Sequence, residues 1–389
     1  MTMRQTTILI FAVILYSFSS CMSHSNKDYV EETLKKGILE QAATNLRENP
    51  VTITSFIAER SAGDCHDFYS EGDYWWPDSL NPDGPYVRRD GQTNPDNFVA
   101  HRQAMIRFSS IVGNLTSAYL LTKDEKYVAT VLEHVRAWFV DEQTFMRPNL
   151  QYAQAIKGIA IGRGIGIIDT VHLMEVAQAL YRLEMAGVLS EQDIRGTKKW
   201  FSEYLKWMSG HPYGKDEMKA KNNHGTCWVM QAAVFARYVG DDAMMDFCRD
   251  RYKQVLLPNQ MNEEGGFPLE LARTKPYGYS LFNLDAMATI CQTLSNESDN
   301  LWNYTADGTK NMKQGIDFIY PYVQDKGSWP FAHDVMYWDE WPVAHPFLIF
   351  GALQTDNKEW LATWAGLEHF PSTGEVVRNL PVRNPLLWI

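Results

Sequence analysis

The sequence predicts an all-α protein, and three observations carry that prediction. Apolar residues recur at helical spacing along most of the chain beyond about residue 28. Helix-start signals stand at the head of several of those stretches. No stretch sustains the strict alternation that a half-buried strand needs.

Taken in chain order, Val128, Val131, Leu132, Val135 and Phe139 repeat on one helical face, and Thr122 with Glu125 predicts a capping box at the start. Ser190 and Asp193 give a second start signal, with Asp where Glu is commoner. Trp200, Phe201, Tyr204, Leu205 and Met208 then line one face. A helix is expected over about 224–238, and Asp241-Asp242 opens the next; 281–294 and 310–322 follow. Two segments break the pattern. Residues 73–97 are rich in Pro, Gly, Asp and Asn and predict a loop. A loop this long inside a compact domain is usually functional or disordered, and its Tyr74, Trp75, Trp76 and Tyr86 argue against disorder. Residues 261–279 carry Gly265-Gly266 and Pro268 before a short polar stretch. Neither has the composition of an interdomain linker. A chain of 389 residues suggests about two domains on length alone. The expected organisation is nevertheless one catalytic domain over 61–389, preceded by an N-terminal segment with the first helices over 21–60, of which 28–60 joins that domain.

The first residues predict export. Arg4 precedes a short apolar run over 8–16, too short to span a bilayer, and small residues lead to Cys21. Residues 1–20 thus resemble a lipoprotein leader with Cys21 as the lipidated first mature residue; Phe18 fits that pattern poorly, and an ordinary signal peptide is the alternative. A periplasmic or membrane-anchored protein follows, touching the membrane only through such an anchor. Cys65, Cys227, Cys248 and Cys291 remain, without CxxC spacing, and predict buried free thiols.

A net charge of −11 argues against non-specific nucleic-acid binding. An acidic protein still binds a polyanion where the cleft is locally basic. With 13 Trp and 19 Tyr the chain also has aromatic faces to spare for stacking on sugar rings, although most of these belong in a core.

Two segments hold the residue types for chemistry. In Lys219-Ala-Lys221-Asn222-Asn223-His224-Gly225-Thr226, a helix N-cap accounts for one Asn but not for two followed by His. In Leu269-Glu270-Leu271-Ala272-Arg273-Thr274-Lys275-Pro276-Tyr277-Gly278-Tyr279-Ser280, a cation followed by two Tyr reads, taken alone, as packing or a surface ion pair. Together they supply what elimination from a uronate requires. The C5 proton becomes acidic only when the adjacent carboxylate is neutralised, which an amide and a protonated group can do. A base must take that proton and an acid must protonate the departing O4. Tyr, with an ordinary pKa near 10, needs a cation beside it to act as base, and Arg273 offers one. No metal or other cofactor is required.

On these residues the chain resembles the alginate-lyase superfamily of helical-toroid polysaccharide lyases. The resemblance covers most of residues 60–380 and rests on YWWPDSLNPDGPYVRRDGQTNPD, NLQYAQAIKGIAIGRGIGIIDT over 149–170, KNNHGTCW and ELARTKPYGYSLFNLDA. It implies a toroid or incomplete barrel of helical hairpins around a central cleft. It also implies an acidic polysaccharide as partner, and catalytic roles for Asn223 and His224 on the carboxylate, Tyr279 as proton acceptor and donor, and Arg273 beside it. Tyr279 is preferred because Tyr-x-x-Phe continues in Phe282, with Tyr277 as competitor. The 73–97 loop resembles a lid or cleft wall, in which Arg88 and Arg89 would bind carboxylates and Tyr86 would stack. Gln154, Asn222, Lys221 and Tyr277 complete the expected substrate contacts, and Lys219, Arg163 and Lys275 would add positive potential. Alginate is the first expected substrate and glucuronan the second. Gly162-Arg163-Gly164-Ile165-Gly166 is not a dinucleotide fingerprint, and the scattered His lack HExxH spacing. A two-carboxylate toroid hydrolase and a non-catalytic glycan-binding lipoprotein remain as alternatives. Only a lyase would leave an unsaturated, ultraviolet-absorbing uronate.

Overall fold

A computed structural model of the chain describes residues 25–389; the leader and lipid-anchor expectation lies outside them. Helices α1 (Asn26–Asn45), α2 (Ala100–Thr122), α3 (Lys126–Phe139) and α4 (Leu173–Met185) open the fold. They are followed by α5 (Glu191–Gly210), α6 (Pro212–Met218), α7 (Asn223–Val239) and α8 (Asp242–Arg251). Two single turns, α9 (Leu257–Gln260) and α10 (Pro268–Leu271), lead into α11 (Pro276–Leu294). The remainder are α12 (Met312–Gln324), α13 (Pro346–Thr355), α14 (Lys358–Gly366) and α15 (Gly374–Asn379).

The packing is a double layer. Helices α2, α4, α7, α11 and α13 contact one another in that succession and form an inner row. Around them, α1 and α3 pack on α2, α5 and α8 on α7, α12 on α11 and α13, and α14 on α13. Sequence decides which helix goes where. In α7 and α11 apolar and small residues surround the whole helix, so both are buried nearly all round. In α3, α5 and α12 the apolar residues keep to one stripe, which faces inward. Each fully buried large side chain in these stripes contributes about 1.5–3 kcal/mol. Trp138 of α3, stacked on Phe108 of α2 at 4.7 Å, is one such anchor. The N-terminal α1 joins the same core through Val30, Leu34, Ile38 and Ala42.

The expected starts at Ser190 and Asp241 are present, each side chain accepting a backbone N–H of the helix it opens. The expected Thr122–Glu125 capping box is not. Thr122 is the last residue of α2, Lys123 turns left-handed (φ 59°) to end that helix, and Glu125 makes no capping bond. The carboxylate of Asp124 instead accepts from Lys126 N at 3.1 Å. Helix α11 begins five residues earlier than its apolar run, because Pro276 and Pro268 each open a helix where a missing N–H costs nothing. Short strands escape the periodicity test: β1 (Tyr69–Glu71) pairs in parallel with β4 (Tyr152–Ala155). Within the 73–97 loop β2 (Trp75–Trp76) and β3 (Val87–Arg88) form an antiparallel hairpin. The four described cysteines are unbridged; Cys65 is exposed and the other three are buried.

Candidate active site

The N-termini of α7 and α11, the β2–β3 hairpin, the end of β4 and α15 enclose a cavity of about 340 Å³. That lies within the usual 300–1,000 Å³ of small-ligand sites. Asn222, Asn223, His224, Arg273, Tyr279, Gln154 and Arg88, all expected at the site, line it together with Tyr74, Trp75, Arg163, Arg378 and Asn379.

At the α7 end the chain turns tightly, and Gly225 is required there: a Cβ would stand 2.2 Å from the Ala220 carbonyl oxygen. Asn222 is the N-cap residue, yet its side chain makes no capping bond and lines the cavity. Asn223 is buried, and both its backbone N and its Nδ2 donate to Glu270, at 2.7 Å each. A carboxylate only accepts, so this pairing fixes which way the amide lies. His224 Nδ1 donates to Glu217 at 2.6 Å, which leaves Nε2 as the free nitrogen of a ring that lines the cavity. Burial would lower the imidazole pKa, but the buried Glu217 carboxylate, with Glu270 behind it, holds it above its ordinary value. Burial likewise pushes the Glu270 carboxyl up, against the pull of Asn223, Arg273 and His224.

At the α11 end the Tyr279 hydroxyl lies 2.7 Å from the Tyr74 hydroxyl and accepts from Arg273 Nη2 at 3.3 Å. Arg273 also stacks over the phenol ring, 4.4 Å from its centroid. Burial and the Tyr74 hydroxyl push Tyr279 well above the ordinary phenol value, and Arg273 pulls the other way. The resting group is therefore a phenol at neutral pH. Asp90 holds Arg273 at 3.0 and 3.2 Å and Arg88 at 2.6 Å, tying the hairpin to the guanidinium beside Tyr279. Despite burial, Arg273, Thr274 and Arg88 bring the Asp90 carboxyl down to about 2.

The floor is a buried ion network. Arg102 grips Asp73 with two bonds, at 2.6 and 3.0 Å, and reaches Asp169 at 3.3 Å, while Arg378 takes Asp73 from the other side at 2.5 Å. Gln154 sits on this floor in a left-handed conformation (φ 49°), a strained state for a non-glycine residue. Ser70 Oγ accepts from its backbone N, Asp169 accepts from its Nε2, and Arg163 donates to its Oε1. Much of the amide expected to bind sugar is thus already engaged.

Four expected contacts fall elsewhere. Tyr277 is fully buried, donates to the Tyr322 carbonyl and packs on Trp329 and Trp338, because two positions along a helix turn it away from Tyr279. Arg89 lies across Trp76, 5.0 Å from its ring, since neighbouring residues of an extended hairpin face opposite ways and Arg88 takes the cavity side. Tyr86 turns to Lys157, whose carbonyl accepts the Tyr86 N–H and whose ammonium covers the ring at 5.6 Å. Lys221, like Lys219, is exposed and outside the lining. Conversely, Glu217, Glu270, Tyr74, Arg378 and Asn379 were not foreseen. A glutamate seven residues before His224 and another inside an apolar Leu-Glu-Leu turn are the signals that pointed to the first two. Among the described residues no group of three or more His, Cys, Asp or Glu is arranged to hold a metal ion.

The family model described as Alginate lyase matches residues 52–329. Among solved structures, an alginate lyase from Bacteroides ovatus superposes with a TM-score of 0.78 at 29% identity, over 94% of this chain and 97% of that one. Alginate lyase A1-III from Sphingomonas species A1 superposes with a TM-score of 0.55 at 15% identity, over 90% and 94%. A histidine-to-alanine variant of alginate lyase A1-III, complexed with tetrasaccharide, gives 0.59 at 14%, over 90% and 94%. At those identities the likeness to A1-III is one of fold. No curated protein matches the chain by sequence.

Proposed function

Because this chain belongs to the alginate lyase family and is a polysaccharide lyase, we propose that it cleaves a β-1,4-linked uronan, polymannuronate first, with Tyr279 moving the proton. One observation carries this reading: an amide and a cation-prone imidazole line the same cavity as a phenol with a guanidinium at 3.3 Å. The substrate carboxylate binds the Asn223 amide and the Nε2–H of protonated His224. Their positive field is worth most as the carboxylate takes on enolate charge. The Tyr279 phenolate takes the C5 proton. The electron pair left at C5 forms the C4–C5 double bond, the C4–O4 bond breaks, and Tyr279 returns its proton to O4. Mannuronate presents that proton and O4 on one face, which suits a single group for both transfers.

This cycle needs His224 protonated and Tyr279 ionised, the reverse of the majority state. With the imidazole pKa above its usual value and the phenol far higher, the active fraction rises with pH up to the imidazole pKa. It stays level between the two and falls above the phenol pKa. The electrostatic mismatch between an acidic chain and an acidic polymer is met locally by Arg88, Arg163, Arg273 and Arg378 in the lining.

Defined oligomers of mannuronate, guluronate and glucuronate, assayed for the absorbance of the unsaturated product, test the assignment. Fastest turnover of mannuronate is expected. Preference for guluronate, the C5 epimer whose C5 proton and O4 lie on opposite faces, would overturn the one-residue route and require a second proton donor. Preference for glucuronate, which differs from mannuronate only at C2, would change the substrate and keep the route.

A further inference from the structure

Lys275 is buried at 4% exposure, a setting an ammonium group occupies only when paired. It pairs with Glu375 of α15, itself 3.7 Å from Arg378. Its Nζ also lies 5.2, 5.6 and 5.4 Å from the ring centroids of Tyr74, Tyr279 and Tyr337. A pairing with Glu375 alone would not need a tyrosine cage. Lys275 is the N-cap residue of α11, and its carbonyl accepts the Tyr279 N–H at 3.0 Å, so backbone and side chain bind to the same catalytic residue.

Resting on the lyase reading above, we propose that Lys275 is a positioning residue for the elimination: its ammonium, held beside the Tyr279 ring in the tyrosine cage, stabilises the ionised form of Tyr279. The Tyr74 and Tyr279 hydroxyls lie 2.7 Å apart, and the ammonium stands 5.2 and 5.6 Å from their ring centroids, so negative charge on Tyr279 develops beside a buried cation. Arg273 donates to the Tyr279 oxygen at 3.3 Å and is the second cation beside it. The charged and titratable groups around the ammonium are Glu375, Asp73, Asp334 and the phenols of Tyr74, Tyr279 and Tyr337. Around the Tyr279 hydroxyl they are Tyr74, Arg273 and Asp90. Burial alone would lower the lysine pKa, but Glu375 and Tyr74 raise it, so the group is a cation at working pH and supplies charge instead of accepting a proton.

The test is the pH profile of kcat/KM for wild type and Lys275→Met, with thermal melting to check the fold. Removing the cation raises the phenol pKa. The alkaline limb then moves up, the plateau falls about tenfold for each unit of movement, and the acid limb, which reports His224, stays in place. Lys275→Met leaves Glu375 short of a partner, so Lys275→Gln with Glu375→Gln is measured beside it; that pair keeps a hydrogen bond and buries no unpaired charge. A fall in rate with both limbs unmoved, or no fall, overturns the proposal and leaves Lys275 a structural cation. If Tyr279→Phe retains wild-type turnover, the assignment of the proton transfer to Tyr279 has failed, which the Lys275 variants alone would not reveal.

Discussion

The starts of α7 and α11 stand on one cavity and are built with opposite polarity. Behind Asn223 and His224 lie two buried carboxylates, Glu270 and Glu217. Around Tyr279 stand a guanidinium and an ammonium, the latter 5.6 Å from the ring centroid. The difference follows the charge each end must meet. In the proposed cycle the α7 groups receive an anion, and the carboxylates at their backs turn N–H donors outward and favour the protonated imidazole. The α11 group becomes an anion in that cycle, and cations stand beside it. A site that handles one negative charge thus uses acidic support on one side and basic support on the other. Counting charges in the cavity would miss this, because the two sets largely cancel.

Breaking the α11 side directly has the largest expected effect. Tyr279→Phe keeps the ring and removes the transferring oxygen, and turnover should fall by about 10²-fold or more with the melting temperature nearly unchanged. Retained activity would remove the phenol from the chemistry, and the comparison with it. On the α7 side, Glu270→Gln offers the Asn223 amide an N–H where it now meets only acceptors. The amide then loses its single orientation, and kcat should drop about tenfold, in line with the cost of an unmet buried hydrogen bond. Steady-state kinetics with a wild-type result would show that the amide needs no holding. The hairpin marks the outer limit of both regions. Arg88 is partly exposed and shares Asp90 with Arg273. Its replacement by Ala should raise KM about two- to fivefold and reduce sensitivity to salt. Arg89→Ala should leave KM within about twofold, because that side chain is spent on Trp76. Equal effects at 88 and 89 would contradict the facing seen in the hairpin.

Legibility in the sequence followed the length scale of the signal. Helices on the outer layer announced themselves by their stripes. The inner α7 and α11 showed composition without a stripe, and their true starts were set by a Pro and by a turn at Gly225. Residues lining the cavity were readable where chemistry restricts the type, as at Asn223, His224, Arg273 and Tyr279. Tyr277 and Tyr279 are chemically identical, and only helical rotation separates one in the core from one at the cavity. Arg88 and Arg89 differ only in the face of an extended hairpin too short to display its period. Glu217 and Glu270 show in the sequence only by position, seven residues before His224 and inside Leu-Glu-Leu, and long-range packing is what turns that position into a role. Arg378 and Asn379 reach the site from α15, far along the chain, and no local pattern connects them to it.

In the proposed cycle the α7 support raises the share of His224 that is charged while Tyr279 ionises on the opposite side. The pH dependence of kcat/KM in wild type and Glu217→Gln tests it most directly. Removing the carboxylate beside Nδ1 lowers the imidazole pKa, so the acid limb should move down and the plateau should fall about tenfold per unit. The alkaline limb, belonging to Tyr279, should not move. A shift of the alkaline limb instead, or a profile that keeps its height and both limbs, would contradict the assignment of the two charges to the two helix ends.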